Sequence, residues 1–219
     1  MSRAIGHAQA RKIVAGAVHA GTIKRPLNRY ITIHWEAGSV ADGPGATTAF
    51  IKQVGYWLSQ NGVPLVWVWA REAGEGKGEH VHILMHVPHE LANGFKAKQP
   101  AWLKACGVIS RKGVVLTKMV GSSYTVIQRG PRYADWYPGE LTKIIEYILK
   151  GAEAKTAVAM GLNRPRKFEG NVMGKRAATS QSIGATERGR WTARHPDDPA
   201  ADGARIEQIA AMVYPVISG

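Results

Sequence analysis

Apolar and polar positions recur along the chain with strand-like and helical periods, and the breakers between them divide it into elements. Asn28 to Trp35 reads as a strand. Thr47 to Gln60 carries Phe50, Val54, Trp57 and Leu58 at helical spacing and is closed by Asn61-Gly62. Pro64 opens a second strand, Leu65 to Ala70; Gly74, Gly76 and Gly78 make a turn, and His80 to Val87 is a third strand stopped by Pro88. Trp102 to Ala105 suggests a short helix, and Val114 to Val120 with Tyr124 to Gln128 suggests a hairpin around Gly121-Ser122. A helix from about Gly139 to Lys150 is framed by Pro138 and Gly151. Strands joined by hairpins and by helices predict an α+β fold, an antiparallel sheet with helices on one face and the other face open.

Composition adds a polyanionic partner to this picture. The 219 residues include 29 Lys plus Arg against 16 Asp plus Glu, a formal charge of +13. Such an excess favours nucleic acid as the partner. Residues 1–29 carry six basic and no acidic side chains, and residues 161–194 carry eight basic and two acidic. The expected organisation is therefore a basic extension over 1–24, a folded domain over 25–160, a basic flexible segment over 161–203 and a C-terminal helix over 204–219. A single cysteine, Cys106, excludes an internal disulfide and a cysteine-only metal site, which favours a reducing, cytoplasmic setting. No apolar run approaches a membrane span, and the N-terminal one is too short for a signal peptide.

Candidate chemistry lies in the third strand. Alternation puts Val81, Ile83, Met85 and Val87 on one face and His80, His82 and His86 on the other. Histidines at i and i+2 can converge on one metal ion, and a neighbouring carboxylate can complete a site with open positions; a solvated polar face is the competing reading. Glu72 ends the preceding strand, and the glycine turn returns the chain toward it. By simple alternation Glu72 is in phase with Val66, Val68 and Ala70, not Trp67 and Trp69, so a bulge is expected to bring it to the histidines. Glu75 and Glu79 are the fallback ligands.

On the helix, Leu141, Ile144, Ile145, Ile148 and Leu149 form an apolar stripe, leaving Lys143, Tyr147 and Lys150 on the other side. Cations around a tyrosine favour its phenolate and attract phosphate, although an exposed helix face has the same pattern.

In their order these features resemble the HUH endonuclease superfamily, specifically the single-tyrosine Rep proteins that initiate rolling-circle replication. Arg29 to Trp35 is similar to the family's first hydrophobic strand, His80-Val81-His82 to its His-hydrophobic-His strand, and Tyr147-Ile148-Leu149-Lys150 to its Tyr-x-x-Lys helix; Glu72, eight residues before His80, fits the spacing in viral Rep proteins. The resemblance covers about residues 25–160. It implies a ferredoxin- or RRM-like palm in which Glu72, His80 and His82 hold Mg²⁺ or Mn²⁺, Tyr147 attacks the scissile phosphate to leave a 5′-phosphotyrosine, and Lys150 assists. The implied partner is single-stranded DNA or a DNA hairpin at a replication origin. Unwinding falls to a host helicase and extension to a host polymerase, because no nucleotide-binding glycine loop is present. Arg25, Arg29, Lys143, Lys175 and Arg176 are the expected nucleic-acid contacts. Alternatives are a single-tyrosine transposase, a nucleophile at Tyr133 or Tyr137, and a non-catalytic nucleic-acid-binding module. A histidine-triad hydrolase is disfavoured by Leu84 where a third histidine belongs.

Overall fold

A computed structural model of the chain describes residues 1–74, 76, 78–121, 133–163, 170–197 and 206–210. In chain order the main elements are α1 (His7–Thr22), β1 (Arg29–His34), α2 (Gly43–Gln60), β2 (Trp67–Gly74), β3 (Gly78–Met85), α3 (Ala92–Ala105) and β4 (Val115–Met119), followed by α4 (Tyr133–Ile148), α5 (Ala154–Met160), β5 (Ala177–Thr179), α6 (Ala185–Arg194) and α7 (Glu207–Ala210). The five strands form one antiparallel sheet in the order β4-β1-β3-β2-β5, with β3 at its centre.

Local chemistry accounts for several boundaries. The Asp42 carboxylate accepts from the Gly45 amide at 2.9 Å and caps the start of α2. Asn61 and Gly62, the latter at φ 71°, end it as the sequence predicts. Between β2 and β3 the chain reverses through Gly76 and Gly78, both in the left-handed region where a Cβ is strained.

Each sheet face carries its own core. Ile31, Ile33, Trp69, Val81, Ile83 and Met85 pack with Phe50, Val54 and Leu58 of α2 and Phe95, Trp102 and Leu103 of α3. On the other face Val66, Val68, Ala70 and Leu84 pack with Ile13, Val14, Ala17 and Val18 of α1 and with Leu141, Ile145, Ile148 and Leu149 around α4. Helices therefore lie on both faces, where the sequence pattern suggests one. The histidine face is open only toward β1 and β4, where Leu116 is 46% exposed.

The expected extension over 1–24 is in fact α1, a core element. Its buried stripe sets Ile13, Val14 and Val18 among alanines and a glycine, which lowers its hydropathy yet lets it approach the sheet edge: a Cβ on Gly16 would stand 3.2 Å from both Thr179 and Ile183. The expected flexible segment over 161–203 likewise holds β5, a 3-10 turn at Gln181–Ile183 and α6. At the C-terminus Ile206 and Ile209 are buried in the same core as α1, while residues 204–205 and 211–219 of the expected helix lie outside the described residues. So do Tyr124 to Gln128 and Glu75.

Two other helices are longer than their sequence signals suggest. α3 begins at Ala92 and tolerates Pro100, and α4 begins at Tyr133 with Pro138 inside it. Proline marks a boundary by removing one backbone donor, but packing outweighs that loss here.

Candidate metal and tyrosine site

The register of the sheet assembles the site. Glu72 on β2 is paired with His80 on β3, and Ala70 with His82. Directly opposed residues in an antiparallel pair project to the same face. The Val66-Val68-Ala70-Glu72 phase is thus itself the histidine face, and no bulge is needed. Trp67 and Trp69 oppose Met85 and Ile83 on the other side. From β1, His34 opposes His80 and Thr32 opposes His82, so Tyr30, Thr32 and His34 join the same surface. Glu79 belongs to the opposite face, where its carboxylate pairs with the buried Arg71, whose Nε donates at 2.9 Å. That engagement removes Glu79 as a fallback ligand.

Glu72, His80 and His82 are all buried, and one donor atom from each lies within 4.8 Å of the others. Glu72 Oε2 is 3.1 Å from His80 Nε2 and 3.3 Å from His82 Nε2. The Nδ1 of His80 is 2.9 Å from the Gly78 carbonyl, which only accepts, so this nitrogen carries a proton. Nε2 is left facing a Glu72 oxygen, where a proton or a cation can bridge the two. The Nδ1 of His82 is held by the hydroxyls of Tyr30 at 2.8 Å and Thr32 at 2.9 Å. Both imidazoles therefore have the far nitrogen fixed and the near one turned inward, the arrangement that orients histidine ligands. Two imidazoles and one carboxylate fit a divalent cation with open positions.

The electrostatics follow from burial. Burial holds the His82 imidazole down to about 4 although the Glu72 carboxylate favours its charged form, leaving the ring neutral near pH 7. Burial alone would raise Glu72, but hydrogen bonds from His80 and His82 and the charges of His82 and Lys150 bring it below the usual carboxylate range. Burial, reinforced by Tyr147 and Glu72 and opposed by the Thr32 hydrogen bond, raises Tyr30 well above an ordinary phenol. Tyr30 is thereby a hydrogen-bonding partner of His82 and a poor nucleophile.

Tyr147 approaches from α4. Its ring meets the His82 ring edge-on at 5.2 Å and 77°. The Lys150 ammonium lies 4.0 Å from the centre of the Tyr147 ring and 2.6 Å from each Glu72 oxygen. A cavity of about 320 Å³ opens here, lined by Tyr30, Thr32, His34, His80, His82, Leu116 and Tyr147. Of the residues singled out in sequence, Glu72, His80, His82, Tyr147 and Lys150 thus come together.

The others do not join them. His86 lies just past the end of β3 and donates from Nδ1 to the Pro26 carbonyl at 2.9 Å. Tyr137 is fully buried in the core, so the tyrosine pair is not available as a unit; Tyr133 starts α4. Arg176 is also fully buried and donates to the Ser2 and Gly170 carbonyls, tying the N-terminus to the segment that leads into β5. This anchoring explains its charge and withdraws it from phosphate contact. Lys143 is exposed and paired with Glu140 at 2.7 Å, Lys175 is exposed, and Arg25 and Arg29 are partly buried.

Tyr30, Thr32 and His34 were absent from the sequence-based site. His34 stacks on His80 with ring centres 4.9 Å apart and planes at 25°. Their signal was the alternation within β1, which sets these three polar residues opposite Ile31, Ile33 and Trp35. No protein-family model matches the chain, and neither a curated protein nor a solved structure matches it.

Proposed function

We propose that the chain nicks and rejoins single-stranded DNA through a covalent tyrosine link, in the manner of the single-tyrosine Rep proteins its motifs resemble. One observation carries this reading: Tyr147, His80 and His82 border the same cavity, and Lys150 touches both Tyr147 and Glu72. Bound by Glu72, His80 and His82, Mg²⁺ or Mn²⁺ supplies Lewis-acid polarisation of the scissile phosphate.

The remaining work belongs to the chain's own side chains. Tyr30, Thr32 and the Gly78 carbonyl keep both imidazoles turned inward. The Tyr147 oxygen forms a bond to phosphorus and gives up its proton, while the bond to the 3′ oxygen breaks and that oxygen takes a proton. The products are a 5′-phosphotyrosine and a free 3′-hydroxyl. One phosphodiester replaces another, so attack by a 3′-hydroxyl in reverse reseals the strand. Lys150 stands beside the phenol ring and offers its charge to the phosphate.

The test is incubation of the protein and of Tyr147→Phe with assorted single-stranded oligonucleotides and Mn²⁺. The proposal expects a covalent adduct, mapped to the α4 peptide, that disappears in the variant and in excess chelator. An adduct that survives Tyr147→Phe overturns the assignment.

A further inference from the structure

The basic flanks of the sequence fold onto one another. Arg11 and Lys12 lie on α1, Lys24 and Arg25 just after it, and Arg188, Arg190 and Arg194 on α6. These seven cations line three neighbouring hollows of about 410, 430 and 600 Å³, which have Lys12, Ser182, Ala185 and Glu187 in common between them. The hollows include one carboxylate, Glu187, and it already answers Arg190 at 3.2 Å and Arg194 at 3.3 Å. Nearly half of the chain's +13 is thereby gathered on one face. That face lies at the β5 edge of the sheet, whereas the Tyr147 cavity opens over β1 and β4 at the opposite edge.

We infer that this α1–α6 face binds the phosphate backbone of duplex DNA, without regard to sequence and separately from the tyrosine site. Charge complementarity gives the polyanion: rows of Arg and Lys on helices are the electrostatic footprint of phosphate contacts. The aromatic chemistry selects duplex over single strand. A single-strand groove needs exposed rings on which bases stack, and the tryptophan of this face, Trp191, is already stacked on His195 at 4.0 Å and 19° and in edge contact with His19 at 5.7 Å. A lipid surface is disfavoured because, among the described residues, none of the large exposed apolar side chains lies on this face.

The inference rests on charge placement and stands whether or not the tyrosine chemistry does. Its test uses the full chain and two independent double variants, Arg190→Gln with Arg194→Gln on α6, and Arg11→Gln with Lys12→Gln on α1. All four side chains are exposed, and thermal melts check each fold. Anisotropy titrations of a random-sequence 20-base-pair duplex and of a 20-nucleotide single strand are run across a salt series. Each double variant should bind the duplex roughly tenfold more weakly, with the slope of log affinity against log salt shallower by about two units. Single-strand affinity should change less, and Mn²⁺ affinity not at all. Control substitutions Lys52→Gln and Lys104→Gln, on α2 and α3, should leave duplex binding intact. Unchanged duplex affinity in both double variants, an equal loss for both probes, or a loss as large in the controls overturns the proposal. An unsubstituted chain that binds the duplex but forms no covalent adduct with single strands and Mn²⁺ would defeat the proposed activity and leave this surface standing.

Discussion

The ammonium nitrogen of Lys150 lies 2.6 Å from both oxygens of the Glu72 carboxylate, inside the group of side chains fitted to hold a divalent cation. The side chain of Glu72 is 2% exposed, so little water screens the pair. A metal ion using this carboxylate must therefore displace Lys150 or share Glu72 with it. Lys150→Met should tighten Mn²⁺ binding by about tenfold, the effect of removing a competing charge at short range in a partly screened site, while slowing strand cleavage. Calorimetric Mn²⁺ titrations and single-turnover cleavage read the two effects separately. Weaker Mn²⁺ binding in the variant would mean that Lys150 supports the metal.

His82 depends on the hydroxyls behind it. Tyr30→Phe removes one of the two that hold its Nδ1 and keeps the ring volume. Partners of this kind commonly contribute about tenfold to a hundredfold in metal affinity, so Mn²⁺ binding should weaken by about tenfold with little change in melting temperature. Preserved affinity in Tyr30→Phe would assign the orientation of His82 to Thr32 alone.

The parts of this fold legible in sequence are those where one face is apolar and the next residue polar. β1, β3 and α2 follow their periods to within a few residues, and His80, His82, Tyr147 and Lys150 stand where the motif order suggests. Alternation sets Glu72 in its true phase with Val66, Val68 and Ala70, but the bulge it suggests is absent, because which face of β2 meets the histidine face of β3 depends on register, and register is a property of two strands. α1 escaped notice because alanine and glycine score as weakly apolar, yet close approach to β5 demands small residues. β5 is three residues long and owes its existence to pairing with β2. The charge of Arg176 gave no hint that two backbone carbonyls would claim it.

Acid should destabilise the metal-free protein in a defined window. His82 is held down to about 4 against an ordinary value of 6.5. Between those values the unfolded chain binds more protons than the folded one, so stability rises with pH across that interval. The contribution is complete above 6.5 and is lost as pH falls toward 4. Glu72, held below its ordinary 4.5, acts in the same direction further into acid. Melting temperatures measured in chelator should fall steadily from pH 7 to pH 4, and His82→Asn should flatten the upper part of that fall. A variant with an undiminished slope would transfer the effect to other groups.

α1 decides whether residues 25–160 can be separated from the rest. The charge pattern made residues 1–24 look dispensable for folding, but Ile13, Val14, Ala17 and Val18 cover Val66, Val68, Ala70 and Leu84 on the sheet and meet the α4 stripe. Burial of each large aliphatic side chain contributes about 1.5–3 kcal/mol, against a net stability of about 5–15 kcal/mol for an ordinary domain. Cutting the chain to 25–160 should therefore abolish cooperative unfolding, and with it metal binding, even though every ligand is retained. Ile13→Ala gives the graded version: a fully buried side chain is truncated, and the expected loss is about 2–5 kcal/mol in urea melts. Ile109→Ala, at a residue 52% exposed, should change stability by less than about 0.5 kcal/mol. A cooperative melt from the 25–160 fragment would restore residues 1–24 to the status of an arm and leave their charge as their main contribution.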